Sequence, residues 1–373
     1  MSSNRLKREA AFIAQITCFA FLCLGQLNAQ SLEKHYPKMA AEIVRALQPS
    51  SGERAILRYD PQTLPGLEKV VQKALKKAGA KVALLRYDPV SDFKKRLENA
   101  DIYVWLPAGP TVARSAEEGA ALFDWLMNQN GRQVHFHWGD GTRGLDGENG
   151  EHSTAYDQVY LDALNIDYQA LNAHQERVIA ALRQGQITVT TPEGTHLTFE
   201  IGDRHATRQN GDASKARTDT EPVPIGREME LPAGAVRVAP IEETVSGTLF
   251  IPEVRFGGEV VRELELRFSE GQIDRFSAEE GEEAFRQALE AMPALKYFRE
   301  IGIGFNPKLV TPSGEKWVAY YGYGTGIVRL ALGNNEEIGG EVRGNGVRWL
   351  FFRNVSISIG ETEVMKDGEF VLK

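Results

Sequence analysis

Apolar positions along this 373-residue chain follow two rhythms in succession. Between Leu32 and about Trp138 the spacing alternates between helical and extended periods. "AAEIVRAL" has apolar residues at helical spacing, and "RAILRYD" (Arg54 to Asp60) reads as a strand. "LEKVVQKALKKAGA" predicts an amphipathic helix closed by Gly79, a residue suited to a helix C-terminus. "KVALLRYD" predicts the next strand, and "SDFKKRLENA", "DIYVWLP", "EEGAALFDWLMNQNG" and "RQVHFHW" continue the alternation. Strand–helix–strand repetition predicts a parallel sheet with helices packed on it. The echo of "RYDP" at Arg58 and Arg86 is what two equivalent strand ends would give.

The second rhythm is mostly period two. Residues Gly139 to Thr154 are polar and Gly-rich, predicting a loop, and a helix is expected through "AHQERVIAALRQGQ". After Gln186, "ITVTTPEGTHLTFEI" predicts a hairpin over a Pro-Glu-Gly turn. The polar stretch from Gly202 to Arg227 predicts a long loop. "SGTLFIPEV", "ELELRFSEGQIDRFSA" and the remainder read as strands, interrupted by one helix from about Glu279 to Phe298. The fold class expected is an α/β N-terminal domain over residues 30–184, followed by an α+β, strand-rich C-terminal domain over 185–373.

The first residues change the picture of where the chain works. Arg5, Lys7 and Arg8 precede an apolar run from Ala10 to Gly25, and "QLNAQ" offers Ala29 as a cleavage position. This layout predicts a signal peptide over residues 1–29 and an exported protein, periplasmic or extracellular. Gln15 and Thr17 interrupt a run already short for a membrane anchor. Both cysteines, Cys18 and Cys23, fall in this leader, so the mature chain is expected to have no disulfide and no thiolate chemistry. The formal net charge is −8, and losing Arg5, Lys7, Arg8 and Glu9 with the leader makes it −10. An acidic chain with no basic stripe is a poor partner for nucleic acid or an anionic membrane.

Among candidate chemistry, "HFHWGDG" stands out. His135 and His137 lie two apart on a strand and share a face, and Asp140 and His152 follow. A metal site is one reading. Polar rim residues at a strand end are the commoner one. Asp60, Asp88 and Asp140 each follow a strand, where open α/β sheets bind ligands, although they could equally cap helices. "GYGTG" (Gly322 to Gly326) precedes a strand, so it lacks the helix N-terminus of a phosphate loop. All seven histidines precede residue 206, so a metal site in the strand-rich half would rest on oxygen ligands.

Several strings in order give the chain a resemblance to the aminopeptidase T-like family of metallopeptidases. "LPAGAVRVAPIEETVSGTLFI" resembles the family's LPxGEVFTAP segment, and "AEEGEEAF", "FREIGIGFNP" and "GTGIVRLALG" resemble AExGEE, LGExxxGxNP and GGTVHIALG. The resemblance covers nearly all of the mature chain, and a dihydroxypyridine dioxygenase shares the scaffold, so the fold alone does not fix the reaction. It implies two divalent metal ions held by two Glu, two His, one Asp and one Tyr. Here the first Glu position holds Ala235, and the second holds Glu300. The first His position holds Arg329, the Tyr position Glu336, and the remaining His and Asp positions Arg348 and Leu350. Glu300 alone is kept.

Arginine cannot coordinate a metal, because it offers only donors and keeps its charge. The expectation is therefore a site rebuilt without metal, with Arg329 and Arg348 facing Glu300 and Glu336. Such a cluster either plugs the old cavity or grips a small anionic ligand between two guanidinium groups. No cofactor is expected on this reading, and the function expected is a non-peptidase binding or structural role. The competing reading keeps a metal-dependent aminopeptidase acting on peptides, with two divalent ions and ligands recruited from Glu315, Glu336, Glu337, Glu341 or Tyr323. A third moves activity to the His135/His137 edge. The resemblance also implies a homodimer.

Overall fold

A computed structural model describes residues 32–87, 92–109, 115–128, 131–139 and 141–372. The predicted leader with Cys18 and Cys23, and the candidate residues Asp88 and Asp140, lie outside the described residues. Strands β1 (Arg54–Tyr59), β2 (Lys81–Arg86), β3 (Ile102–Trp105) and β4 (Arg132–Phe136) alternate with helices Tyr36–Leu47, Leu67–Lys77, Phe93–Glu98 and Ala116–Asn128. Two further helices follow, Thr154–Ala163 and Tyr168–Leu182. The hairpin β5 (Ile187–Thr190) and β6 (His196–Phe199) leads to the short β7 (Thr207–Gln209) and to β8 (Glu228–Leu231). Then come β9 (Ala235–Val238), β10 (Ser246–Phe256), β11 (Glu259–Ser269), β12 (Gln272–Ser277), β13 (Phe298–Gly304) and β14 (Val328–Gly333). The chain closes with β15 (Val347–Phe352), β16 (Ser356–Ile359), β17 (Thr362–Lys366) and β18 (Glu369–Phe370).

The predicted parallel sheet is present, in the order β2-β1-β3-β4-β8. Its fifth strand comes from far beyond residue 184, pairing in parallel with β4. The two halves of the chain are therefore woven together. One face of this sheet carries Ala55, Leu57, Ile102, Val104, Val134, Phe136, Met229 and Leu231, all buried in one core under the first two helices and Thr154–Ala163. The opposite face carries Ile56 and Tyr103 under Leu97, Trp125 and Leu126 on one side. Toward β4 and β8 that same face turns polar, with Gln133, His135, Glu228 and Glu230. Period-two alternation thus separates a greasy face from a polar one within the same two strands.

The strand-rich half stacks two antiparallel sheets, an eight-stranded one (β12-β11-β10-β6-β5-β16-β17-β18) and a five-stranded one (β15-β14-β13-β9-β7). They share a core with helices Tyr168–Leu182 and Glu282–Ala291. Two expectations need correction. The helix placed at 279–298 occupies only Glu282–Ala291, entered at Gly281 (φ 75°) and stopped where Met292 meets Pro293. The stretch at 202–227 is not one long loop, since β7 and helix Lys215–Thr218 lie within it. Both are too short for a periodic signal.

Asn306 ties these layers together. Fully buried, it donates to the carbonyls of Ala163 (3.1 Å) and Ala233 (2.7 Å) and accepts from the Lys308 amide at 3.0 Å. Asn306→Ala would leave two buried carbonyls without this donor, a loss of about 2–4 kcal/mol at roughly 1–2 kcal/mol each. Urea denaturation followed by circular dichroism and by tryptophan fluorescence should show a matching fall in midpoint. The two probes should coincide in the parent chain, as interwoven halves require.

Candidate functional site

Strand register builds the first candidate site. Arg237 on β9 pairs with Gly302 on β13, Gly302 with Arg329 on β14, and Arg329 with Phe351 on β15. These residues therefore share one face of the five-stranded sheet. The other face carries Val236, Val238, Ile301, Ile303, Val328, Leu330, Leu332, Leu350 and Phe352, all in the common core. Gly302 has a specific task here, since a Cβ on it would lie 3.1 Å from Arg329 Nε and 3.3 Å from its Cβ. Its missing side chain is the space the arginine fills.

Glu300 sits at the centre and is completely buried. Its Oε2 accepts from Arg237 Nε at 3.1 Å and faces Arg237 Nη2 at 3.0 Å. Its Oε1 faces Arg329 Nη2 at 3.0 Å and Arg299 Nε at 3.9 Å. Arg299 reaches the same side as its neighbour because β13 bulges between Phe298 and Glu300. Glu337 completes the cluster, contacting Arg299 and lying 3.3 Å from Arg237 Nη2. Burial alone would raise the Glu300 pKa; Arg237, Arg329 and Arg299 outweigh it and hold the carboxyl at about 2. Glu300 in turn raises Arg237, against burial. Both Glu300 oxygens are thus taken by cations already part of the protein.

Two of the expected participants are elsewhere. Phe351 opposes Arg329, and Arg348 is three residues away, so β15 points Arg348 to the opposite face. Arg348 bonds Glu148 at 2.7 Å and the Arg255 carbonyl at 2.8 Å. A shared grip by Arg329 and Arg348 on one ligand is therefore ruled out by strand geometry. Leu350 faces the core with Arg348's side of the strand, and Trp349 stands on the Arg329 side, its ring 5.2 Å from the guanidinium carbon. Glu336 pairs with the exposed Arg343 at 3.2 Å instead of joining Glu300. Ala235 is buried on the Glu300 side of β9, opposite Gly304. The cluster's real members Arg237 and Arg299 were missed; Arg237 lies two residues after Ala235, a strand period that would have placed it on the same face.

The oxygen ligands considered as recruits are also committed. Glu315 accepts from the Ser153 hydroxyl at 2.5 Å, Glu341 lies 3.5 Å from Arg204, and Glu337 belongs to the arginine cluster. Tyr323 is buried close to the Glu230 carboxylate, and burial, with that negative charge, raises its pKa well above the ordinary value. Asp60 organises its own turn, accepting from the Gln62 and Gly109 amides and the Thr63 hydroxyl. His152 bonds Asp157 at 2.9 Å.

The second candidate lies at the carboxyl ends of β4 and β8. His135 pairs in register with Glu230, and His137 follows two residues later on the same face. Ligand atoms of His135, His137 and Glu230 all lie within 4.8 Å of one another. Among the described residues, this is the one cluster of three or more His, Cys, Asp or Glu side chains that could hold a metal. Glu230 went unnoticed in the sequence because its partner strand is nearly a hundred residues away. The alternation "EMEL" beside "HFHW" was the available signal.

Glu300 is ionised at lower pH in the folded chain than in the unfolded one, so its charge stabilises the fold above about 4.5. That contribution, on the order of 3 kcal/mol, is lost as pH falls toward 2. Glu300→Gln strands three guanidinium groups and should cost about 3–5 kcal/mol at neutral pH. In denaturation curves run across pH, the gap between parent and variant should narrow through this acid window.

Residues 159–315 match the family model for thermophilic metalloprotease (M29). No curated protein matches the chain. Wild-type AmpT from Thermus thermophilus shares the fold with a TM-score of 0.61 and 15% identity, over 91% of this chain and 100% of that one. A 2,5-dihydroxypyridine dioxygenase from Pseudomonas putida KT2440 shares it with a TM-score of 0.58 and 18% identity, over 91% and 97%. Both likenesses concern the fold, which leaves chemistry to the local residues. Residues 159–315 are thus similar to the thermophilic metalloprotease (M29) family, and the chain as a whole shares the fold of AmpT.

Proposed function

We propose that this chain does not hydrolyse peptides by a two-metal route and serves as a binding or structural protein. The observation that carries the reading is the engagement of both Glu300 oxygens by Arg237, Arg329 and Arg299. Two-metal hydrolysis needs cations that activate water and polarise the scissile carbonyl. Guanidinium groups can stabilise charge but cannot lower the pKa of a bound water as a metal does. The family's ions do not fit this donor set, since Ala235 has no ligand atom, Arg329 is a cation, and Arg348 and Leu350 face away. A carboxylate fully buried among fixed cations is a stable end state, and removing any partner exposes the rest to an uncompensated charge.

The reading extends to the setting. The basic start, apolar run and small Ala29 support export, and the family resemblance supports a homodimer. No helix among the described residues is long and apolar enough to cross a membrane.

Purified protein, supplied with cobalt or zinc, should release no N-terminal amino acid from short peptides above the blank rate. Turnover that disappears on chelation and returns with metal would overturn the reading, most directly if Glu300→Gln abolished it.

A further inference from the structure

We propose that His135, His137 and Glu230 bind a single divalent transition-metal ion, at a place separate from the Glu300 cluster. The three side chains come from adjacent parallel strands held in register, so backbone hydrogen bonding fixes their spacing. Their ligand atoms already lie within 4.8 Å of one another. Each is also oriented by a second layer of contacts. Glu228 Oε1 meets His135 Nδ1 at 3.0 Å, and its Oε2 accepts from Gln133 Nε2 at 2.5 Å. A carboxylate on one imidazole nitrogen fixes the tautomer and turns Nε2 toward the metal, the arrangement that metal-binding histidines use. The Glu230 backbone is held by its amide, which donates to Gln209 Oε1 at 2.8 Å. The His135 ring lies 4.0 Å from Trp105 between centroids, and His137 lies 5.5 Å from Tyr320 and 5.2 Å from Tyr321.

Convergence favours a cation here over the simpler picture of hydrogen-bonded rim histidines, since two buried imidazoles and a half-buried carboxylate bring their ligand atoms to one place. Glu228 and Glu230 stand two residues apart on the same face of β8, Glu228 against His135 and Glu230 beside both imidazoles. Two imidazoles and one carboxylate suit zinc, cobalt or ferrous iron, and poorly suit magnesium or calcium. Three protein ligands leave at least one position for water or a ligand atom.

The test is a titration of the full, untagged, chelator-treated chain with zinc alone by calorimetry and cobalt alone by absorption. One equivalent of each is expected, cobalt developing ligand-field bands and zinc raising the melting temperature. His137→Ala should remove the equivalent, and Glu228→Gln should weaken it about 10–100-fold. Glu336→Gln, on an exposed turn, should leave it unchanged. Should His137→Ala fail to fold, Glu230→Gln keeps the side-chain volume and should abolish both the bands and the thermal shift. No binding by the parent chain would overturn the proposal, and so would an equivalent that survives in His137→Ala or Glu230→Gln. This site does not depend on the non-peptidase reading, because peptide turnover is measured separately from metal stoichiometry.

Discussion

A carboxylate with no access to water must be neutralised by something, and at Glu300 that something is three guanidinium groups. The arrangement constrains everything around it. Arg237, Gly302 and Arg329 occupy one register line across β9, β13 and β14, so the sheet itself delivers two of the cations. The bulge before Glu300 turns Arg299 to the same side. Gly302 gives up its side chain so that the guanidinium of Arg329 can lie across the strand. Removing the charge from any one member leaves the others buried and unbalanced.

That dependence gives the shared scaffold a chemistry of its own here. A divalent ion needs carboxylates and imidazoles arranged as donors around an open volume; this face supplies donors of hydrogen bonds instead. The polar end of the parallel sheet has the complementary character, with two imidazoles and two carboxylates on adjoining strands. Tyr323 lies between the two regions, in the field of Glu230 on one side and of Arg237 and Arg329 on the other. The two sites are thus neighbours with opposite chemistry, one saturated by built-in cations and the other rich in metal-ligand atoms.

Much of the architecture was legible from spacing. Alternating helix and strand periods located β1 to β4 and their helices, and turn residues located the β5–β6 hairpin. The fifth strand of the parallel sheet was not legible, because "EMEL" carries no record of pairing with residues near 134. At the Glu300 site, sequence identified Glu300 and Arg329 but chose Arg348 and Glu336 as their companions. The error has a simple physical source. Pairing of Arg329 with Phe351 fixes which β15 residues share its face, and a strand's period of two then excludes Arg348. Arg237, by contrast, obeys that period from Ala235 and could have been found. His135 and His137 were visible as a same-face pair, while Glu230 needed the fold to bring it alongside.

On the proposed reading, built-in arginine charges saturate the Glu300 carboxylate, and metal-binding capacity is confined to the polar end of the parallel sheet. Anomalous scattering from crystals soaked in cobalt tests this most directly. The account predicts one peak among His135, His137 and Glu230 and none against Glu300. A pair of peaks flanking Glu300, with Arg237 and Arg329 swung aside, would contradict it.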